Sequence, residues 1–194
     1  YGGCCLALVL LVSPIRSAAP PRVVHETWDA AFLDGHKAGY FHVIVQELER
    51  DGQKFFSTTL TMDLTVRRFE QTANLRQETG NIETPEGKVV GVSMKQFLAR
   101  QQTMVLTGIV KGDQLQVKVA GKTPLEKAIR WNDKVIGLYA QEKQFAQRKL
   151  KPGDSFTYMS YEPAINSVIT VNVTAKAEEE VEVLQTKKRL LRVE

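Results

Sequence analysis

Cysteine is nearly absent from this 194-residue chain: there are two, Cys4 and Cys5, side by side. A disulfide framework, a cysteine-rich zinc site and, beyond residue 5, a cysteine nucleophile are therefore excluded. Histidine is scarce as well. His25, His36 and His42 are the only three, and they form no His-x-x-x-His or His-Glu-x-x-His pair. No Gly-rich loop leads from a strand into a helix, which removes the usual phosphate cradle. Ser57, Ser93, Ser155, Ser160 and Ser167 lack a Gly-x-Ser-x-Gly setting; after Gly91-Val92-Ser93-Met94, Lys95 stands where the second Gly belongs. Charge of one sign is not in large excess either. Lys plus Arg number 26 against 22 Asp plus Glu, a formal net charge of +4, which argues little for a polyanionic partner. Long apolar runs are missing too: the longest, residues 4–12, falls far short of the roughly 20 residues that span a bilayer.

That short run does suit the apolar region of a signal peptide. Ser13-Pro14 ends it, and Ser17-Ala18-Ala19 puts small residues where a signal peptidase cuts, so residues 1–19 are expected to be an export segment cleaved after Ala19. A basic segment ahead of the run is lacking, Pro20 is a poor residue after a cut, and a buried element of the domain is the alternative. The expected location is periplasmic or extracellular, with residues 20–194 forming one β-rich domain.

From Val23 onward the dominant period is two. Phe56, Thr58, Leu60, Met62, Leu64 and Val66 alternate with more polar partners, as do Leu115, Val117 and Val119, and later Ile169, Val171, Val173 and Ala175. Such one-sided alternation predicts antiparallel sheet with one covered face. Strands are expected near 23–33, 38–49, 54–68, 72–83, 88–98, 103–111, 114–120, 155–161, 165–177 and 181–193. Asp34-Gly35 and Asp51-Gly52 are strong hairpin signals, and Thr84-Pro85-Glu86-Gly87, Lys111-Gly112-Asp113 and Ala177-Glu178-Glu179-Glu180 are further turn candidates. The 72–83 strand is the weakest, with only Ala73, Leu75 and Ile82 apolar. One segment breaks the pattern: a helix is expected over 134–150, with Asp133 as its N-cap and Leu138, Tyr139, Phe145 and Ala146 on its apolar stripe. The fold class is mainly β, a strongly curved antiparallel half-barrel of nine or ten strands with that helix on its concave face.

Candidate chemistry is sparse. Nothing in the sequence makes the three histidines converge on a metal. Glu47 with Glu49, and the Glu178–Glu180 run, read more simply as charges that discourage edge pairing than as acid–base pairs. Asn172-Val173-Thr174 matches the glycosylation pattern but lies in mid-strand. The strongest electrostatic feature is a basic region, Lys127, Arg130, Lys134, Lys143, Arg148, Lys149 and Lys151, against Asp133 and Glu142. Its aromatics fall on the helix's apolar stripe, so it reads as a contact face for a membrane, an envelope polymer or a partner domain rather than for nucleic acid. No cofactor and no metal are expected.

One constellation is more specific. Trp28, Gly35, Lys37, Gly39 and Tyr40 give Trp-x6-Gly-x-Lys-x-Gly-aromatic, followed by Arg67-Arg68, the Thr84–Gly87 turn and the run from Thr107 to Leu115. This order resembles the N-terminal β domain that precedes the catalytic module of exported bacterial transglutaminase-like proteins. It is distantly similar to the half-barrel domains of periplasmic lipoprotein carriers. The resemblance covers residues 23–194. It implies a non-catalytic accessory domain, truncated at its C-terminus, whose Cys-His-Asp module lies beyond Glu194. The alternative is a free-standing carrier that holds lipid or an acyl chain in the concave sheet. Gly35 and Gly39 would then supply positive φ in a hairpin, with Trp28 and Tyr40 packed across it.

Overall fold

The computed structural model describes residues 20–68, 71–99, 101–183 and 186–194, so the expected export segment 1–19 lies outside the described residues. Eight strands follow one another as an antiparallel meander: β1 (Arg22–Leu33), β2 (His36–Arg50), β3 (Gln53–Arg68), β4 (Gln71–Glu83), β5 (Val89–Leu98), β6 (Gln101–Lys111), β7 (Gln114–Gly121) and β8 (Leu125–Arg130). They pair in sequence order, leaving the curved sheet open at β1 and β8. Helix α1 (Leu138–Arg148) and a second antiparallel sheet, β9 (Ser155–Glu162), β10 (Ser167–Val183) and β11 (Thr186–Val193), complete the chain. The fold is thus mainly β with one helix, as the alternation requires.

The turns obey local chemistry. Asp34-Gly35 and Asp51-Gly52 both carry positive φ at two successive residues (50° and 77°, 52° and 73°), the two-residue geometry that matches the twist of a hairpin. Gly39 differs from expectation. It is ordinary strand backbone in β2, and it is glycine because a Cβ there would fall onto the Asp63 carbonyl of β3.

Inward positions of β5, β6 and β7 build the main core, with Val92, Met94, Leu106, Leu115 and Val117 packed under Trp131, Val135 and Tyr161. The stretch after β8 is therefore pinned as extended chain. Val135 bridges Met159 of β9, and Ile136 bridges Lys88 beside β5. That pinning delays the helix, which starts at Leu138 rather than at 134, and Asp133 caps nothing. Asn132 instead turns the chain, its Oδ1 accepting the Lys134 N–H at 3.0 Å.

Two further expectations change. Residues 125–130 form β8, where Lys118 of β7 reaches Glu126 at 2.9 Å; only Ile129 is packed, so periodicity had little to register. Ala177–Glu180 is not a turn but the middle of β10. The acidic run faces the basic run of β11, with Glu180–Lys187 and Glu178–Arg189 both at 2.7 Å and Glu179–Arg192 at 3.2 Å. Opposite charge across the ladder makes strand the favoured state of a stretch that is otherwise turn-like.

The helix start has an unusual cap. Gly137 precedes α1 and offers no side-chain acceptor. The Glu83 carboxylate, 56 residues earlier at the end of β4, accepts the Tyr139 N–H at 2.9 Å, and its other oxygen accepts the Ala140 N–H at 3.1 Å. Gly137 allows this approach, since a Cβ would lie 2.5 Å from the carboxylate. Replacing Glu83 by Ala should cost about 1–3 kcal/mol by orphaning two half-buried donors. Gly137→Ala should cost a similar 1–3 kcal/mol or so by forcing the contact apart, both read from urea midpoints.

Burial pushes the Glu83 carboxyl up from 4.5 to about 7, against the pull of its two backbone donors. The folded protein then binds this proton more tightly than the unfolded chain. Its contribution is fully present below about pH 4.5 and is lost as pH rises through about 7. Unfolding free energy measured across that window should fall with rising pH by up to about 3 kcal/mol, and the slope should be smaller in Glu83→Gln.

Candidate functional site

Alternation along β1–β4 gives the sheet an inner face toward α1 and an outer face away from it. On the inner side α1 is tied down at several points. Besides Glu83, Glu142 accepts a hydrogen bond from His25 Nε2 of β1 at 2.9 Å. Phe145 meets Phe156 and Tyr158 of β9 edge-on, with centroids 5.2 and 6.4 Å apart. Gln141 Nε2 donates to the Ile136 carbonyl and to Ser160 Oγ. Tyr139 packs on Phe56 of β3 at 5.0 Å.

Between these ties lies a groove of about 600 Å³. Phe41, Val43 and Leu60 line it from the sheet and Leu138, Phe145 and Ala146 from the helix, with Asp29, Gln141 and Glu142 supplying polar groups. The volume is that of a small-molecule site. Thr58 also lines the groove; it is only 1% exposed, and its hydroxyl oxygen has no hydrogen-bond partner within the described protein. The same holds for Asn81 Oδ1, its neighbour across the β3–β4 ladder. Asn81 lines a separate cavity of about 20 Å³ with Gln141 and Ser160, room for a single water.

The candidates named from sequence fall out as follows. The three histidines do not converge: His25 faces the helix, His42 stacks on Trp28 at 3.7 Å on the outer face, and His36 lies exposed beside the first hairpin turn. Among the described residues no group of three or more His, Cys, Asp or Glu side chains is placed to hold a metal. Trp28 and Tyr40 do pack across the first hairpin, centroids 5.1 Å apart, while Lys37 is exposed opposite Phe32.

The basic region is divided. Lys127 and Arg130 sit three apart on β8 and so face opposite sides, and Lys134 is in the extended stretch before the helix. Lys143 Nζ lies over the Tyr139 ring at 4.5 Å, and the Arg148 guanidinium over Phe156 at 4.3 Å. Lys149 ends the helix in the left-handed conformation. Two of the helix cations thus pack on aromatic faces.

Sequence reading missed Glu83 and Thr58. A signal existed, because the inward positions of β4 are Gln77, Thr79, Asn81 and Glu83, an uncommonly polar series for a covered face.

Thr58→Val removes the buried unpaired hydroxyl at nearly constant shape. The free protein should be unchanged or more stable by about 1 kcal/mol in urea denaturation. Comparison of the chain with protein-family models, with curated proteins and with solved structures finds no match.

Proposed function

We propose that this chain is a binding domain that takes an acyl chain or similar aliphatic ligand in the groove between α1 and β2–β3. The single observation behind this reading is the lining of that groove: Phe41, Val43, Leu60, Leu138, Phe145 and Ala146 along its walls, with Asp29, Gln141 and Glu142 as the polar groups among them. Apolar walls supply affinity by taking aliphatic surface out of water, and the few polar groups among them orient the polar end of the ligand. The expected export of the chain fits such a carrier.

We also propose that the domain serves an exported transglutaminase-like protein whose catalytic Cys, His and Asp lie beyond residue 194. The Trp28 to Tyr40 constellation supports this second part. Reading the coding sequence past residue 194 tests it: a Cys followed by His and Asp supports the assignment, and a stop within a few dozen codons defeats it.

Ligand binding is tested by displacement of a dansylated fatty acid from the full chain. Saturable uptake is expected, and Ala146→Phe, a change at an exposed helix position, should fill the groove and weaken uptake by roughly tenfold or more. Absence of saturable uptake would remove the carrier reading.

A further inference from the structure

The outer face of the first hairpin carries a second feature, independent of the groove. Trp28 is one of two tryptophans in the chain. Trp131 is buried at 8% exposure, whereas Trp28 is 61% exposed. Exposed single apolar residues are ordinary, but this one belongs to an ordered group. Its indole lies flat on the His42 ring, centroids 3.7 Å apart and planes 14° from parallel, with Tyr40 beside it at 5.1 Å and 45°.

Beneath the indole, His42 is itself fixed. Its Nε2 donates to Glu26 Oε1 at 2.8 Å, and since a carboxylate only accepts, that nitrogen carries the proton. The same hydrogen bond holds the Glu26 carboxyl below its usual range, with the Trp28 indole adding a smaller pull. The result is an aromatic plate with the indole stacked on His42 on one side and 61% exposed overall. Hydrogen-bonding groups lie along its rim: Glu26 on β1, then Thr61 and Asp63, which stand opposite His42 and Tyr40 in the β3 register.

We propose that this plate binds a pyranose ring of a neutral oligosaccharide. A pyranose presents a face of C–H bonds and a rim of hydroxyls. The C–H face matches the apolar, electron-rich indole, and the hydroxyls match Glu26, Thr61 and Asp63. Because the stack on His42 already immobilises the indole, little side-chain entropy is lost on binding. A quaternary ammonium group fits less well. It is held best where several ring faces converge, and here a single face is free.

The chain supplies its own reporter. The full chain is titrated with chitotetraose and with cellotetraose while tryptophan emission is followed; the exposed Trp28 should respond and the buried Trp131 should report an intact fold. A saturable change is expected with at least one glycan, at a Kd on the order of a millimolar. In Trp28→Ala, with binding read by ligand-observed NMR, affinity should fall by roughly tenfold or more, and Trp28→Phe should retain part of it. Ala146→Phe should leave glycan binding unchanged, which separates this site from the groove. The proposal is overturned if neither glycan gives a saturable change, if Trp28→Ala binds as the unaltered chain does, or if choline displaces the glycan at lower concentration.

Discussion

Two hydrogen bonds into one buried carboxylate hold the helix of this protein in place. Glu83 closes the end of β4 and accepts the first free N–H groups of α1, which has no capping side chain of its own. Glu83 is 1% exposed, so its carboxyl must find its partners within the protein or remain unpaired away from water. The partial positive charge of a helix N-terminus favours the ionised carboxylate, and burial opposes it. Burial wins, which is why the group titrates near neutrality. Two glycines, Gly137 and Gly87, provide the clearance, since a Cβ on the first would strike Glu83 and on the second Ala140.

Everything on the inner face follows from that anchor. With its start fixed to β4, α1 lies where Glu142 reaches His25 on β1 and Phe145 reaches β9. The helix therefore bridges two sheets, and the groove is the space it leaves above β2 and β3. A core filled more completely would have placed an apolar side chain where Thr58 stands. Buried hydroxyls without partners are uncommon in proteins, and this one lines the groove floor.

The same strands serve two surfaces because their side chains alternate. Asp29, Phe41 and Val43 face the groove, and the residues beside them in sequence, Trp28, Tyr40 and His42, make the aromatic plate on the outside. Gly39 lets β2 approach the β3 backbone between them. A one-residue slip of β1 against β2 would exchange the two faces and destroy both features, so register at the first hairpin matters more than any single contact there. That register is set by the Asp34-Gly35 turn together with a bulge between Ala31 and Phe32, where Ala38 is left without a partner on β1.

Much of the architecture was legible because strand and turn signals are local. Period-two alternation marked ten strands, and Asp-Gly pairs marked two hairpins. The helix was visible from Leu138, Tyr139 and Phe145, but not its start, since Val135 and Ile136 were drawn into bridges with distant strands. The acidic run 178–180 read as a turn until the basic residues of β11 stood opposite it, a pairing that only register reveals. By itself, then, the sequence determined the β class, the place of most strands and the alternation that separates inner from outer side chains, because each depends on neighbours a few residues apart. Tertiary structure alone decided the Glu83 cap, the groove over Thr58 and the bare indole on His42. Each of these joins groups from different strands or from a strand and the helix, and their meeting depends on register and packing that no local pattern encodes.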